Sequence, residues 1–253
     1  DAQESRGLGD VYKRQALDAN TTGANNVAVG NAALTSSSNA SQNTAVGGNA
    51  FDSITTGFAN VAVGFVAGGG LTTGNYNIAI GQETLAATTT ANNNTAVGHN
   101  ALNANTTGAQ NTAIGRAALL KNTTASYNVA VGYYALEDTT TGANNVAVGS
   151  FALESNTASN NTAVGDIALR VNTTGGENVA VGEYCLQAMT TGSNATAVGW
   201  YAGYAHTSGA YLTAVGRGAA RYNTTGACNT AVGGGAGDAG LVAVSPTGIW
   251  YRH

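Results

Sequence analysis

The sequence predicts an all-β protein, a parallel β-roll or β-solenoid of about thirteen 17-residue coils, and three observations carry that expectation. A short motif, Ala-Val-Gly or Ala-Ile-Gly, places glycine at 30, 47, 64, 81, 98, 115, 132, 149, 165, 182, 199, 216 and 233. Eleven of the intervals are 17 residues and one, Gly149 to Gly165, is 16. Self-similarity at such a fixed period is the signature of stacked supersecondary units, each touching only its neighbours. The residue three before each glycine is β-branched, as at Val27, Thr44, Val61 and Ile78, and the residue just before it is Val or Ile, which reads as a short strand.

Alanine sits between these two residues in all thirteen copies: Ala28, Ala45, Ala62, Ala79, Ala96, Ala113, Ala130, Ala147, Ala163, Ala180, Ala197, Ala214 and Ala231. Strand side chains alternate, so the β-branched pair shares one face and alanine takes the other. The β-branched face is expected to fill the coil. The alanine face, held to a methyl throughout, is expected to be the contact column for a second chain.

Asn stands four before the glycine in eleven copies, with Ala195 and Leu212 as exceptions, and predicts a stacked amide ladder that ties off turn backbone. Upstream lies a Thr-Thr-Gly turn, as at Thr21-Thr22-Gly23 and Thr140-Thr141-Gly142, where glycine is expected to supply a positive φ. Four copies carry Ala40, Ala91, Ala125 and Ala158 there, so the demand is not absolute. After the motif glycine come two variable residues and then Ala-Leu, as at Ala101-Leu102. The leucine is missing at Gly68, Gly203, Ala220 and Gly237, where looser packing or a different neighbour is expected. Thirteen coils at a strand spacing of about 4.8 Å make a rod on the order of 60 Å long.

Composition excludes several classes. Only 9% of residues are charged, Gly reaches 36 and Pro is single, which rules out collagen and proline-rich linkers. The net charge is −4, and Arg116, Lys121, Arg170, Arg217 and Arg221 are the basic residues between 16 and 240, too scattered for nucleic acid. Cys185 and Cys228 lack metal-ligand spacing and lie in different columns of the repeat, so no bridge is expected. No apolar run reaches the length of a membrane helix, so any membrane anchor is expected outside this chain.

The ends depart from the repeat. Residues 1–15 read as a non-native leader, because Asp10-Val11-Tyr12-Lys13-Arg14-Gln15 resembles a frame translation of a sequencing-library transposon end, which implies a metagenomic source. Residues 16–240 are the roll. Residues 241–253 leave the register, with Trp250 where the next glycine falls due, and Leu241-Val242-Ala243-Val244 reads as a strand of a cap or of a following domain.

No catalytic constellation is present, so an enzyme is not expected, and no cofactor is expected. His99 and His206 read as solvated residues of variable or turn positions. Gly234-Gly235-Ala236-Gly237-Asp238 faintly resembles a calcium-binding nonapeptide but occurs once. Glu137, Asp138, Glu154, Asp166 and Glu183 follow one another over successive coils and are expected to form an acidic, solubilising stripe. The candidate binding residues are the aromatics that follow the motif glycines: Phe65, Tyr133, Tyr134, Phe151, Tyr184, Trp200 and Tyr201. Rings with polar tips suit protein and sugar contacts.

The Asn-[Val/Thr]-Ala-[Val/Ile]-Gly-x-x-Ala-Leu units resemble the head repeats of YadA-like trimeric autotransporter adhesins across roughly residues 16–240. Similar units occur in bacteriophage tail fibres and in surface proteins that precede a self-cleaving chaperone domain. The resemblance implies a left-handed roll, a homotrimer, an extracellular or bacterial-surface location and attachment to a protein or glycan ligand. The alternatives are a tail-fibre shaft on a virion and a monomeric ice-binding solenoid presenting its Thr-Thr turns.

Overall fold

The structure is a computed structural model that describes residues 15–238 and 249–251. The described residues contain no helix; they form strands of three residues each. These are β1 (Val27–Val29), β2 (Thr44–Val46), β3 (Val61–Val63), β4 (Ile78–Ile80), β5 (Thr95–Val97), β6 (Thr112–Ile114), β7 (Val129–Val131), β8 (Val146–Val148), β9 (Thr162–Val164), β10 (Val179–Val181), β11 (Thr196–Val198), β12 (Thr213–Val215), β13 (Thr230–Val232) and β14 (Ile249–Tyr251). They pair in chain order as one parallel sheet, each alanine of β1–β12 opposite the next coil's alanine. β14 pairs with β13 through Thr230 and Ile249. The Leu241–Val244 segment lies outside the described residues, as do residues 1–14.

Columns are numbered here from the motif glycine, column 0, so the strand occupies columns 14–16. Backbone hydrogen bonds continue the stacking around the rest of each coil. The column 4 amide of Leu34 donates to Ala50, the column 8 amide of Thr72 to Thr89, and the column 0 amide of Gly47 back to Val29.

The strand faces the opposite way to the sequence expectation. Ala45, Ala62, Ala79, Ala96, Ala113, Ala130, Ala147, Ala163, Ala180, Ala197, Ala214 and Ala231 are fully buried inside their own chain, and Ala28 in the first coil is partly buried against the same core. They therefore cannot be an inter-chain contact column. The β-branched residues of columns 14 and 16 point outward. The reason is room: the interior across from the strand is already filled by columns 3, 4, 7 and 13, all closely packed, so only a methyl fits.

Three columns, made mostly of non-glycine residues, turn the chain through left-handed backbone. The non-glycine residues of columns 2, 4 and 12 hold φ near +49° to +64° in coil after coil, including Leu102 (53°), Leu136 (52°) and Leu169 (50°). Such conformations cost on the order of 1–3 kcal/mol each for a bulky residue and persist only where the surroundings over-determine them. Burial of each leucine, worth about 1.5–3 kcal/mol, offsets that strain. Positive φ also falls on the motif glycines, between 121° and 144°, where an added Cβ would overlap the carbonyl of the next motif glycine. The Thr-Thr-Gly glycines do not carry it. Glycine is favoured there because a Cβ would press on the next coil's carbonyl, so space and not dihedral angle is the constraint.

Two missing leucines are compensated by neighbours. The Phe51 ring occupies the space beside Gly68, and the methyls of Leu186 and Leu212 occupy that beside Gly203. Leu212 is one of the two departures from the asparagine column, so that exception and the missing leucine in the same coil answer each other. The 16-residue coil drops one residue of its Thr-Thr corner: Thr157 alone spans the bend between Asn156 and Ala158, and the strand pairing continues as Val146 with Thr162.

If alanine faces inward, Ala130→Val overpacks the coil by about 1–3 kcal/mol, whereas Val129→Thr on the outer face shifts stability by about 0.5 kcal/mol or less. Thermal unfolding followed by far-ultraviolet circular dichroism checks this; equal effects, or the reverse order, would contradict the burial assignment.

Candidate functional site

The interior is a polar device as well as an apolar one. From Asn26 to Ala195 each column 13 Oδ1 accepts the backbone N–H of the next coil's column 13 residue, at 2.8–3.0 Å, without a break. The amide N–H of the same side chains donates to the column 10 carbonyl one coil on, as Asn94 does to Gly108 at 2.9 Å. These residues are structural.

Column 7 is a second buried column that the sequence reading missed. It runs Ser37, Ile54, Leu71, Thr88, Asn105, Asn122, Thr139, Asn156, Asn172, Met189, His206 and Asn223, all essentially without exposure. Its asparagines donate to the column 10 carbonyl of their own coil, as Asn105 does to Gly108 at 3.0 Å. The missed signal was compositional: column 7 takes amides, hydroxyls, large apolar residues and one histidine, but no Asp, Glu, Lys or Arg.

His206 belongs to this column, which corrects the expectation that it is solvated. Its Nε2–H donates to the Gly209 carbonyl at 2.7 Å, copying the asparagine bond, and its buried Nδ1 has no partner. His99 in column 1 is exposed. Burial holds the His206 imidazole below its usual 6.5, in the neutral form. Cys185 is buried, with its thiol pushed up to about 12 by desolvation, while Cys228 is exposed and both are free.

The acidic residues do not form one stripe. Glu137, Asp138 and Glu154 lie in columns 5 and 6, where Lys121 pairs with Asp138 and, at 3.9 Å, with Glu137, and Arg170 pairs with Glu154. Burial and the adjacent Asp138 raise the Glu137 carboxyl above its ordinary range. Asp166 and Glu183 stand in column 1 instead.

Among the described residues two exposed surfaces stand out. The first is the outer face of the sheet. Val63, Ile80, Ile114, Val148, Val198, Val215 and Val232 in column 16 leave 36–40% of their surface open, and Val179 and Ile78 in column 14 flank them. The result is an apolar β-branched ribbon along the repeat. Parallel sheets are normally covered on both faces, and contiguous exposed apolar surface marks an interaction site.

The second surface is formed by columns 1, 2 and 5; columns 1 and 2 carry all seven predicted aromatics, six of them in two neighbouring groups. Because column 2 has the same left-handed backbone in each coil, its side chains leave the rod in one direction, and Tyr134 stacks on Phe151 with ring centroids 5.8 Å apart. Tyr133 meets both edge-on at 4.3 and 5.3 Å. Further along, Tyr184 and Trp200 each contact Tyr201, at 4.8 and 4.2 Å. Phe65 is exposed and stands apart, four coils before Tyr133.

Sequence reasoning missed the arginines that stack over these rings. Arg116 covers Tyr133 and Tyr134, Arg170 covers Phe151 at 4.8 Å, Arg217 covers Trp200 at 4.8 Å and Arg221 covers Tyr201 at 4.7 Å. It also missed Tyr204, which packs on Tyr201, and a separate exposed pair, Phe58 and Tyr76, 5.0 Å apart. The available signal was that arginine and aromatic residues occupy the same few columns of adjacent coils.

Among the described residues no three His, Cys, Asp or Glu side chains converge as a metal site would require. The Gly234–Asp238 segment lines an open cleft beside Trp200.

The sign of the His206 effect follows from its neutral burial. The unfolded chain binds the proton more readily, so stability is full above about pH 6.5 and falls as pH drops below it. His206→Asn, which restores the column's usual amide, is expected to flatten the dependence of the thermal midpoint between pH 7.5 and 5. An unchanged slope would show that other groups set it.

No family model, curated protein or solved structure matches the chain.

Proposed function

We propose that the chain is the shaft or head of a homotrimeric attachment fibre, an extracellular structural protein of a bacterial surface or virion tail and not an enzyme. The single observation that carries this is the apolar ribbon on the outer face of the sheet. A partner that covers it along its length must repeat at the same strand spacing, and another copy running parallel meets that requirement. Three copies around an axis bury three equivalent ribbons and close the assembly without a free edge. The number three, and a left-handed coil, come from the likeness of the repeat to YadA-like adhesin heads.

On this reading the β-branched ribbon takes the role that the alanine column was expected to play. The aromatic and arginine face of columns 1, 2 and 5 is the adhesive surface. Attachment to protein or glycan surfaces suits flat, amphipathic side chains that lose little entropy on binding.

Light scattering after gel filtration is expected to give three times the 25.0 kDa chain mass. The double variant Ile114→Asp, Val148→Asp places charge in the ribbon and is expected to run as a monomer that keeps its β spectrum. A monomeric parent protein with that spectrum sinks the proposal.

A further inference from the structure

The geometry points to a binding site for a carboxylated saccharide, a uronic-acid-type sugar, in the cleft where the aromatic columns end. The cleft has a volume of about 390 Å³ and is walled by Trp200, Arg217, Arg221 and Asp238. This is within the range of pockets that hold small ligands. The inference deepens the adhesive reading of this face and rests on it for context.

The cleft exists because columns 1 and 2 change character. Coils with Tyr133, Tyr134, Phe151, Tyr184, Trp200 and Tyr201 give way to Gly218, Gly234 and Gly235. A Cβ placed on Gly218 or Gly234 would meet nothing, so the floor is open where every preceding coil from Tyr134 carries a side chain. Trp200 forms the wall and remains 39% exposed.

The charges in the cleft are unspent. Arg170 and Glu154, in column 5 of adjacent coils, close as an ion pair. Arg221 and Asp238 occupy the same column in adjacent coils and do not pair: the buried Nε of Arg221 and the buried Oδ1 of Asp238 both lack a hydrogen-bond partner. A buried polar atom without a partner is costly, and a ligand that supplies the partner offsets that cost. Arg217 is likewise in no ion pair among the described residues, and stacking on Trp200 fixes its plane while leaving its in-plane N–H donors free.

A ligand for this set needs an anionic acceptor for two guanidinium groups, a donor for a carboxylate and an apolar ring face for the indole. Uronic acids combine all three: a carboxylate, vicinal hydroxyls and a pyranose face of C–H groups. A simple anion offers only the first, and a neutral sugar only the last two. Two arginines against one aspartate leave the cleft net positive, which favours the acid form.

Calorimetry with a galacturonate trisaccharide tests the site, using the full chain. Binding is expected, accompanied by a change in tryptophan fluorescence that Trp200→Phe removes. The neutral galactose counterpart and the variants Arg217→Gln and Arg221→Gln are each expected to bind at least about tenfold more weakly. Gly234→Tyr, which fills the open floor without straining the backbone, is expected to abolish binding while leaving the thermal midpoint unchanged. No binding of the galacturonate at millimolar concentration, equal binding of the neutral sugar, or displacement by an equal concentration of sulfate would overturn the proposal. Trimer mass separates this result from the fibre reading: a monomer that binds the acid sugar keeps the cleft and discards the fibre, and a trimer that does not bind it does the reverse.

Discussion

Each strand from β1 to β13 buries nothing larger than alanine, because the space opposite it is taken by the side chains of columns 3, 4, 7 and 13, in most coils a leucine, a buried column 7 residue and an asparagine. That narrow section sets the rest of the architecture. It forces the larger β-branched residues outward, which creates the apolar ribbon. It brings successive motif glycines so close that a side chain there would overlap the next coil's backbone. It also requires tight corners, which the chain makes with left-handed backbone even at leucine, a residue with no local preference for it.

The polar columns solve a second problem that the same section raises. A thin coil has corners whose carbonyls and amides face inward, away from water, and each would be costly if unpaired. The asparagine column meets this twice over, accepting a backbone amide and donating to a backbone carbonyl of the next coil, as Asn60 does with Asn77 at 2.8 Å and Gly74 at 2.9 Å. The ladder also specifies register. Sliding one coil by a residue would bury a backbone polar group without a partner and expose the amide, so the arrangement is protected against slips that apolar stacking alone would tolerate.

The 17-residue period, the short strands and the asparagine ladder were legible because they depend on periodicity and on hydrogen-bonding capacity, which residue types reveal directly. Which strand face is buried was not legible. Alternation separates Val129 and Val131 from Ala130 but leaves the direction open, and hydrophobicity alone favours putting valine inside. The better signal was tolerance: column 14 exchanges Val for Thr freely, as a half-exposed position can, whereas Ala130 and its equivalents never vary, as a packed interior demands. The left-handed leucines carried no local signal at all, since their conformation is imposed by the core. In the candidate site the rings were recognised but their partners were not, because the contacts of Arg170 with Phe151 and of Arg221 with Tyr201 depend on columns 2 and 5 meeting across a corner.

The 16-residue coil shows what kind of object this rod is. Loss of one residue at Thr157 leaves the sheet, the asparagine ladder and the leucine column in step on either side. The Thr-Thr corner therefore acts as an expansion joint: length can change there without the change being transmitted to the next coil. A rod built this way can gain loops at that edge, and so acquire new surface chemistry, while its load-carrying section stays the same.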